Sequence, residues 1–399
     1  MSSEQVDVVI IGGGAAGISV AARLAASPRP PSIVLVEPST RHHYQPLWTL
    51  VGAGVFPKEQ SERQEAELIP AGVRWVKERA VTFDPDNHEV TLSDGTTLRY
   101  NQLVVAMGIQ IDWALIPGLK ESVGKPGSGV VSNYSYETVS STWDALRAFP
   151  KGGRAIFTHP STPIKCGGAP IKICFLADDH LRRRGARESS HITFVKAGGG
   201  IFAVKKYADA LTRVAARKHI ETVFTEELVS IDVANKAAVF RDLTTKTERV
   251  RPFDLLHVTP PMSAPDVLKQ SPLAGAGGWV DVHKHTLQHS RYPDVFSLGD
   301  CSNLPTSKTG AAIRKQAPVL VENLLAHREG RPLLGHYDGY TSCPLVTGYG
   351  KLILAEFDYT NTPKESFPFD QSQERLSMYM LKAYALPDMY WNGMLRGRM

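Results

Sequence analysis

The apolar run VDVVIIG from Val6 predicts a strand buried on both faces, and it breaks at the turn Gly12, Gly13, Gly14, Ala15, Ala16 and Gly17. The stretch from Ile18 to Ala26 has helical character, and SIVLVE supplies a second strand ending at Glu37. Strand, glycine turn, helix and strand make a βαβ unit of the dinucleotide-binding type. From Val73 to Gly108 short alternating strands separated by DPDNHE and SDGT read as an antiparallel meander that ends in LVVAMG. Between about 125 and 262 a second alternation appears: a helix over Val139 to Phe149, strand RAIFTH, helix KICFLADDHLRRR, strand ITFVKA and a last strand reaching His257 to Pro261. Strand DVFSLGD, ending at Asp300, precedes a long helix from about Thr309 to His327 that stops by Gly330. The expected fold class is α/β with two Rossmann-like domains. Residues 1–120 and 265–330 form the first, 121–264 the second, and 331–399 a C-terminal segment.

Composition narrows the field. In 399 residues, 42% hydrophobic and 21% charged are ordinary globular values, which excludes a disordered chain. A net charge of +5 without a long basic block does not call for nucleic acid. No stretch is apolar enough to span a bilayer. Glu4 and Asp7 precede the first apolar run where a secretory leader needs a positive start, so the chain is expected to stay in the compartment of synthesis, a bacterial cytoplasm. The four cysteines, at 166, 174, 301 and 343, form no CxxC pair or metal-ligand cluster, so no metal is expected.

Gly12, Gly14 and Gly17 satisfy GxGxxG, which lets backbone N–H groups and a helix N-terminus meet a pyrophosphate, and Glu37 suits the ribose hydroxyls. The segments VVAMG, ending at Gly108, and VFSLGD, ending at Asp300, resemble the flavoprotein pattern of the pyridine-nucleotide disulfide reductase superfamily, which implies FAD rather than NAD and a glutathione-reductase-like architecture. Lys308 precedes the long helix, where a cation opposes the helix dipole, and is read either as a flavin or acceptor neighbour or as a solvated lysine. In the second domain an NADH-using relative needs another glycine turn after RAIFTH. The chain instead reads THPSTPIKCGGAPIK. Cys166, near a helix start with Lys165 and Lys172, favours a thiolate, and Cys343 lies in the loop-like GYTSCPLVTGYG. Cys174 and Cys301 read as buried structural thiols, and His42, His43, His159 and His257 receive no role.

The strings EPSTRHHYQPLWTLVGAG, PIKCGGAPIKI, GDCSNLPTSKTGAA, YDGYTSCPLVTGYGKLILAEFDY and MYWNGMLRG resemble sulfide:quinone oxidoreductase, in the branch found in mitochondria and many bacteria. The resemblance implies that Cys166 and Cys343 form a redox disulfide, with persulfide on Cys343 and the thiolate of Cys166 facing the flavin. It implies flavin contacts at Glu37, Gln45, Ala80, Asp300, Lys308 and Thr309. FAD is expected to be noncovalent, because no cysteine precedes Cys166. The implied partners are hydrogen sulfide, a sulfane-sulfur acceptor left unspecified, and a membrane quinone. A type II NADH:quinone dehydrogenase of the same fold and a flavin-bearing sulfur sensor are the competing readings. The tail from Leu376 holds five of the chain's eight methionines, and Tyr390, Trp391, Lys382, Arg396 and Arg398 suit a monotopic contact with anionic lipid on the cytoplasmic face of a bacterial inner membrane. The alternative is a helix packed on the core or in a homo-oligomer interface, with Pro387 dividing it in either case.

Overall fold

A computed structural model describes residues 4–399. Two sheets organise the chain, the first mixed and the second parallel. The first has seven strands in the order Val73–Val76, Ile33–Val36, Glu4–Ile11, Thr97–Val105, Glu89–Leu92 and Ala80–Asp84, with Val295–Ser297 paired parallel to Thr97–Val105. Val8, Val9, Ile10 and Ile11 are buried throughout, as a central strand covered on both faces requires. The helix Ala15–Ala25 crosses from Glu4–Ile11 to Ile33–Val36 and packs on the long helix Gly310–Arg328. Gly17 permits this crossing, since a Cβ there would lie 1.8 Å from the Gly12 carbonyl oxygen.

One strand departs from the expected meander. Val73–Val76 pairs parallel with Ile33–Val36 and extends the dinucleotide sheet, so the antiparallel part is confined to Ala80–Asp84, Glu89–Leu92 and Thr97–Val105. Its four residues carry too short a period to separate the two pairings in the sequence.

The second sheet is parallel in the order Val130–Val131, Leu255–His257, Arg154–His159, His191–Lys196 and Glu221–Phe224. A three-stranded antiparallel sheet, 226–252, stands beside it. The helix Ala169–Arg183 follows Arg154–His159 and lies against the hairpin strand Thr341–Gly348, whose partner is Lys351–Phe357. This packing brings the two distant cysteine segments together.

Residues 376–393 form one helical run that alternates between α and π geometry and closes in a 3-10 turn over Met394–Arg396. Pro387 falls within it instead of dividing it: π turns lie on either side of the short stretch Leu386–Asp388, and a wider turn leaves room for a residue that lacks an N–H. Among the described residues no helix is long and apolar enough to cross a membrane.

Candidate active site

A single cavity of about 780 Å³ runs from the glycine turn to the cysteine segments. At one end it is walled by Gly12, Gly14 and Glu37, farther along by Gly108, Asp300, Lys308 and Thr309, and then by Lys165 and Cys166. A Cβ on Gly12, at φ +103°, would lie 2.5 Å from the Ala106 carbonyl oxygen, whereas Gly14 faces open space. The turn therefore packs against its own sheet on one side and leaves the helix N-terminus clear on the other. The Glu37 carboxylate accepts from the Gly13 and Ser39 N–H groups, each at 2.8 Å, and stays on the cavity wall. Gln45 lines the same space. Gly17 acts from behind by packing, and Ala80 sits buried on its strand opposite Leu92, outside the cavity wall. Acid, glycine turn, clear helix end and elongated cavity fit a dinucleotide.

Thr309 caps the second helix that faces the cavity: its hydroxyl accepts from the Ala312 N–H at 3.1 Å and pairs with the Thr341 hydroxyl at 2.8 Å. Lys308 is not solvated. Its ammonium lies 3.9 Å from the Trp279 ring centroid and donates to the Asp300 and Ser302 carbonyl oxygens, and burial holds its pKa below the usual lysine range. Burial also raises the Asp300 carboxyl, with Lys308 and Lys165 opposing the rise.

Cys166 adopts φ +56°, a left-handed conformation that a non-glycine residue holds only when its surroundings impose it. The restraints are visible. Its N–H donates to the Lys308 carbonyl at 2.8 Å, and its own carbonyl accepts from the Ala169 N–H at 2.8 Å where the helix begins. The Lys172 ammonium, one turn into that helix, donates to Cys166 Sγ at 3.2 Å. Cys343 is buried behind this loop, close enough to Gly168 that a Cβ there would lie 3.7 Å from the Cys343 Cβ. Burial, followed by the charge of Cys166, pushes the Cys343 thiol up to about 12. Both stand as free thiols. Cys174 lies inside the helix with no exposure, and Cys301 is buried against Ser297 and the Val105 carbonyl.

The sequence reading missed one participant and misplaced two. Lys382, taken as a lipid-facing cation, is buried, donates to the Pro46 carbonyl at 2.9 Å and lines the cavity. Burial, then the neighbouring Lys172, brings its pKa down to about 7, against the charges of Cys166 and Cys343. Tyr390 and Trp391 turn inward as well. The Tyr390 hydroxyl lies 2.6 Å from His42 Nε2, whose Nδ1 meets Glu65 at 3.1 Å, and Trp391 packs edge-on to His42. The large apolar side chains that the tail exposes are Leu376, Met380 and Tyr384, at 63%, 47% and 56%, four residues apart on one helical face, and Arg396 and Arg398 are exposed as expected. Among the described residues no cluster of His, Cys, Asp or Glu could hold a metal.

The strand Thr341–Gly348 forms part of the cavity wall. Alternation sends Cys343 and Leu345 toward the helix Ala169–Arg183, while Ser342 and Pro344 line the cavity with Leu354 and Glu356 of the partner strand. Lys172 and Lys382 stand beside the thiols. Tyr340, Pro344, Leu354 and Phe367 also line the cavity, with the Arg314 guanidinium 6.0 Å from the Tyr340 ring.

Residues 6–142 match the family model described as pyridine nucleotide-disulphide oxidoreductase. Mitochondrial sulfide:quinone oxidoreductase from Mus musculus is 48% identical over 392 residues, 98% of this chain and 86% of that protein. The Dictyostelium discoideum mitochondrial enzyme of the same name is 48% identical over 393 residues, again 98% of this chain and 86% of the relative. The crystal structure of sulfide:quinone oxidoreductase from the hyperthermophilic bacterium Aquifex aeolicus superposes with a TM-score of 0.82 at 19% identity, covering 99% of this chain and 92% of that one. With two relatives near half identity along almost its full length, the chain belongs to the sulfide:quinone oxidoreductase family.

Proposed function

We propose that the protein oxidises hydrogen sulfide to sulfane sulfur at Cys166 and Cys343 and delivers the electrons to quinone through noncovalently held FAD. The observation that carries this reading is Cys166 in its left-handed turn, on the wall of the dinucleotide cavity, with the Lys172 ammonium 3.2 Å from its sulfur and Cys343 packed behind. FAD would lie against Gly12, Gly14, Glu37, Gln45, Gly108, Asp300, Lys308 and Thr309, and when bound it supplies a two-electron acceptor that quinone reoxidises.

The cysteines account for the sulfur chemistry. Hydrosulfide attacks one sulfur of the Cys166–Cys343 disulfide; that S–S bond breaks, a persulfide forms on Cys343 and Cys166 departs as thiolate. Lys172 meets the new thiolate, and Lys165 and Lys382 make this arm attractive to anions such as hydrosulfide. A nucleophilic acceptor then removes the outer sulfur and leaves a thiol on Cys343. Re-forming the disulfide releases two electrons. The opposite arm, walled by Tyr340, Pro344, Leu354 and Phe367, suits an apolar ring. The strand between the arms keeps an electrophilic quinone away from Cys343.

Quinone is lipid-borne, and the exposed row Leu376, Met380 and Tyr384 supports a peripheral contact with the inner face of a membrane. Anaerobic sulfide titration tests the whole reading: sulfide bleaches the bound cofactor, a soluble quinone restores its colour, and Cys166→Ser or Cys343→Ser abolishes bleaching while leaving cofactor content intact. Bleaching by NADH that is indifferent to both substitutions would assign the protein to NADH oxidation instead.

A further inference from the structure

Reducing a quinone takes two protons as well as two electrons, and the aromatic arm contains a hydrogen-bonded route to solvent. Tyr340 and Glu356 both line that arm. The Tyr340 hydroxyl donates to Glu356 Oε1, and the same oxygen accepts from the exposed Ser366 hydroxyl at 2.9 Å. Glu356 is itself buried and held at Oε2 by the Ser366 N–H and the Gln371 amide, both at 2.8 Å. Arg314 lies with its guanidinium 6.0 Å from the Tyr340 ring and makes no ion pair among the described residues. A carboxylate so fully bonded would be structural if its partners were buried too. Here one partner is a phenol on the cavity wall and another is a hydroxyl in water, which makes it the middle of a chain.

Building on the two-arm reading above, we propose that Tyr340 is the acid that protonates the quinone oxygen and that Glu356 restores its proton from water through Ser366. As the electron pair reaches the quinone, the Tyr340 hydroxyl turns from Glu356 to one quinone oxygen, its O–H bond breaks and an O–H bond forms on that oxygen, leaving a phenolate. Ser366 gives its hydroxyl proton to Glu356 Oε1 and takes one from water, and Glu356 hands the proton on to the phenolate, so that solvent is the net donor; the second quinone oxygen takes its proton from water at the mouth. Arg314 faces the negative charge that passes through Tyr340. Burial together with the Glu356 carboxylate, which pushes the phenol up to about 12, keeps the proton on Tyr340 until a strongly basic reduced quinone draws it off.

The test reduces holoenzyme with dithionite, which bypasses sulfide, and follows reoxidation in stopped flow by a short-tailed quinone or by ferricyanide, which takes electrons without protons. Tyr340→Phe is expected to slow reoxidation by quinone about 100-fold, the usual scale of a lost general acid, and to leave the ferricyanide rate within about twofold. Wild type is expected to show a solvent deuterium isotope effect with quinone and none with ferricyanide. Glu356→Gln should share the quinone defect, with Tyr340→Phe as the decisive variant because it removes one oxygen atom and keeps the ring. Quinone reoxidation of Tyr340→Phe at the wild-type rate would overturn the proposal, as would equal slowing with both oxidants. Wild-type enzyme that quinone cannot reoxidise would remove the quinone reading and this proposal together. Normal quinone reoxidation with no bleaching by sulfide would instead fault only the sulfide half.

Discussion

Replacing Lys382 with methionine should stabilise the protein near neutrality and damage its chemistry at the same time. The side chain is almost wholly buried, and its neighbours are Lys172, Cys166 and Cys343. Its pKa falls from 10.5 to about 7. Between those values the unfolded chain binds a proton that the folded chain does not, so stability rises with pH across that window. At 1.36 kcal/mol per unit, the buried ammonium costs the fold about 5 kcal/mol at pH 7 and below, and nothing above about pH 10.5. Loss of the hydrogen bond to the Pro46 carbonyl offsets about 1–3 kcal/mol of the gain. Lys382→Met should thus be about 2–4 kcal/mol more stable than wild type at pH 7 by urea denaturation, and the advantage should disappear as pH approaches 10. Sulfide bleaching of the same variant should slow, because a cation beside the thiols has gone. A variant less stable than wild type at pH 7, or a difference independent of pH, would refute the burial argument.

Gly17→Ala should lose most of its bound flavin: the new methyl would meet the Gly12 carbonyl oxygen at 1.8 Å, and the helix must retreat by about the shortfall from ordinary contact, which displaces the turn proposed to meet the pyrophosphate. Absorbance of the purified protein measures this, and full cofactor content would contradict it. Changing Leu376, Met380 and Tyr384 together to serine should weaken sedimentation with anionic vesicles at least tenfold while turnover with a water-soluble quinone stays within about twofold. Unchanged vesicle binding would mean that another surface meets the membrane.

Much of the fold was readable because its signals are local. The apolar run, glycine turn and acid at Glu37 lie within 37 residues, and each has a backbone reason to be where it is. The helix from about Thr309 announced itself in the same way, and the structure adds that the Thr309 side chain caps it. Convergence was another matter. That Cys166 and Cys343 share a neighbourhood came from the family resemblance, since nothing in either segment encodes a separation of 177 residues. Lys382, Tyr390 and Trp391 were misassigned because an amphipathic tail with cations and aromatics has the same pattern whether it faces lipid or its own core. The choice depends on what the rest of the chain offers as a partner. Here His42, Tyr44 and the Pro46 carbonyl provide one. Ala80 shows the reverse case: matching a family position did not put it on the cavity wall.

The placement of charge explains why the two halves of the reaction can share one cavity. Sulfide chemistry needs nucleophilic sulfur and a setting that holds anions, and Lys172 and Lys382 stand beside the thiols. A quinone would be consumed there by addition of the thiolate to its ring. Period-two alternation turns Cys343 to one face and Ser342 and Pro344 to the other, so the separation follows from β geometry alone. A one-residue slip of that strand would exchange the two faces and bring the thiol into the aromatic arm. Register is pinned against this by pairing from Thr341 with Phe357 through Gly348 with Lys351, and by Leu345, which fills the space that Gly168 leaves open at the helix start. Gly168→Val would press on Leu345 at 2.6 Å and push at that register from the helix side, so the packing that holds the thiols together would, on the proposed reading, also keep them from the quinone.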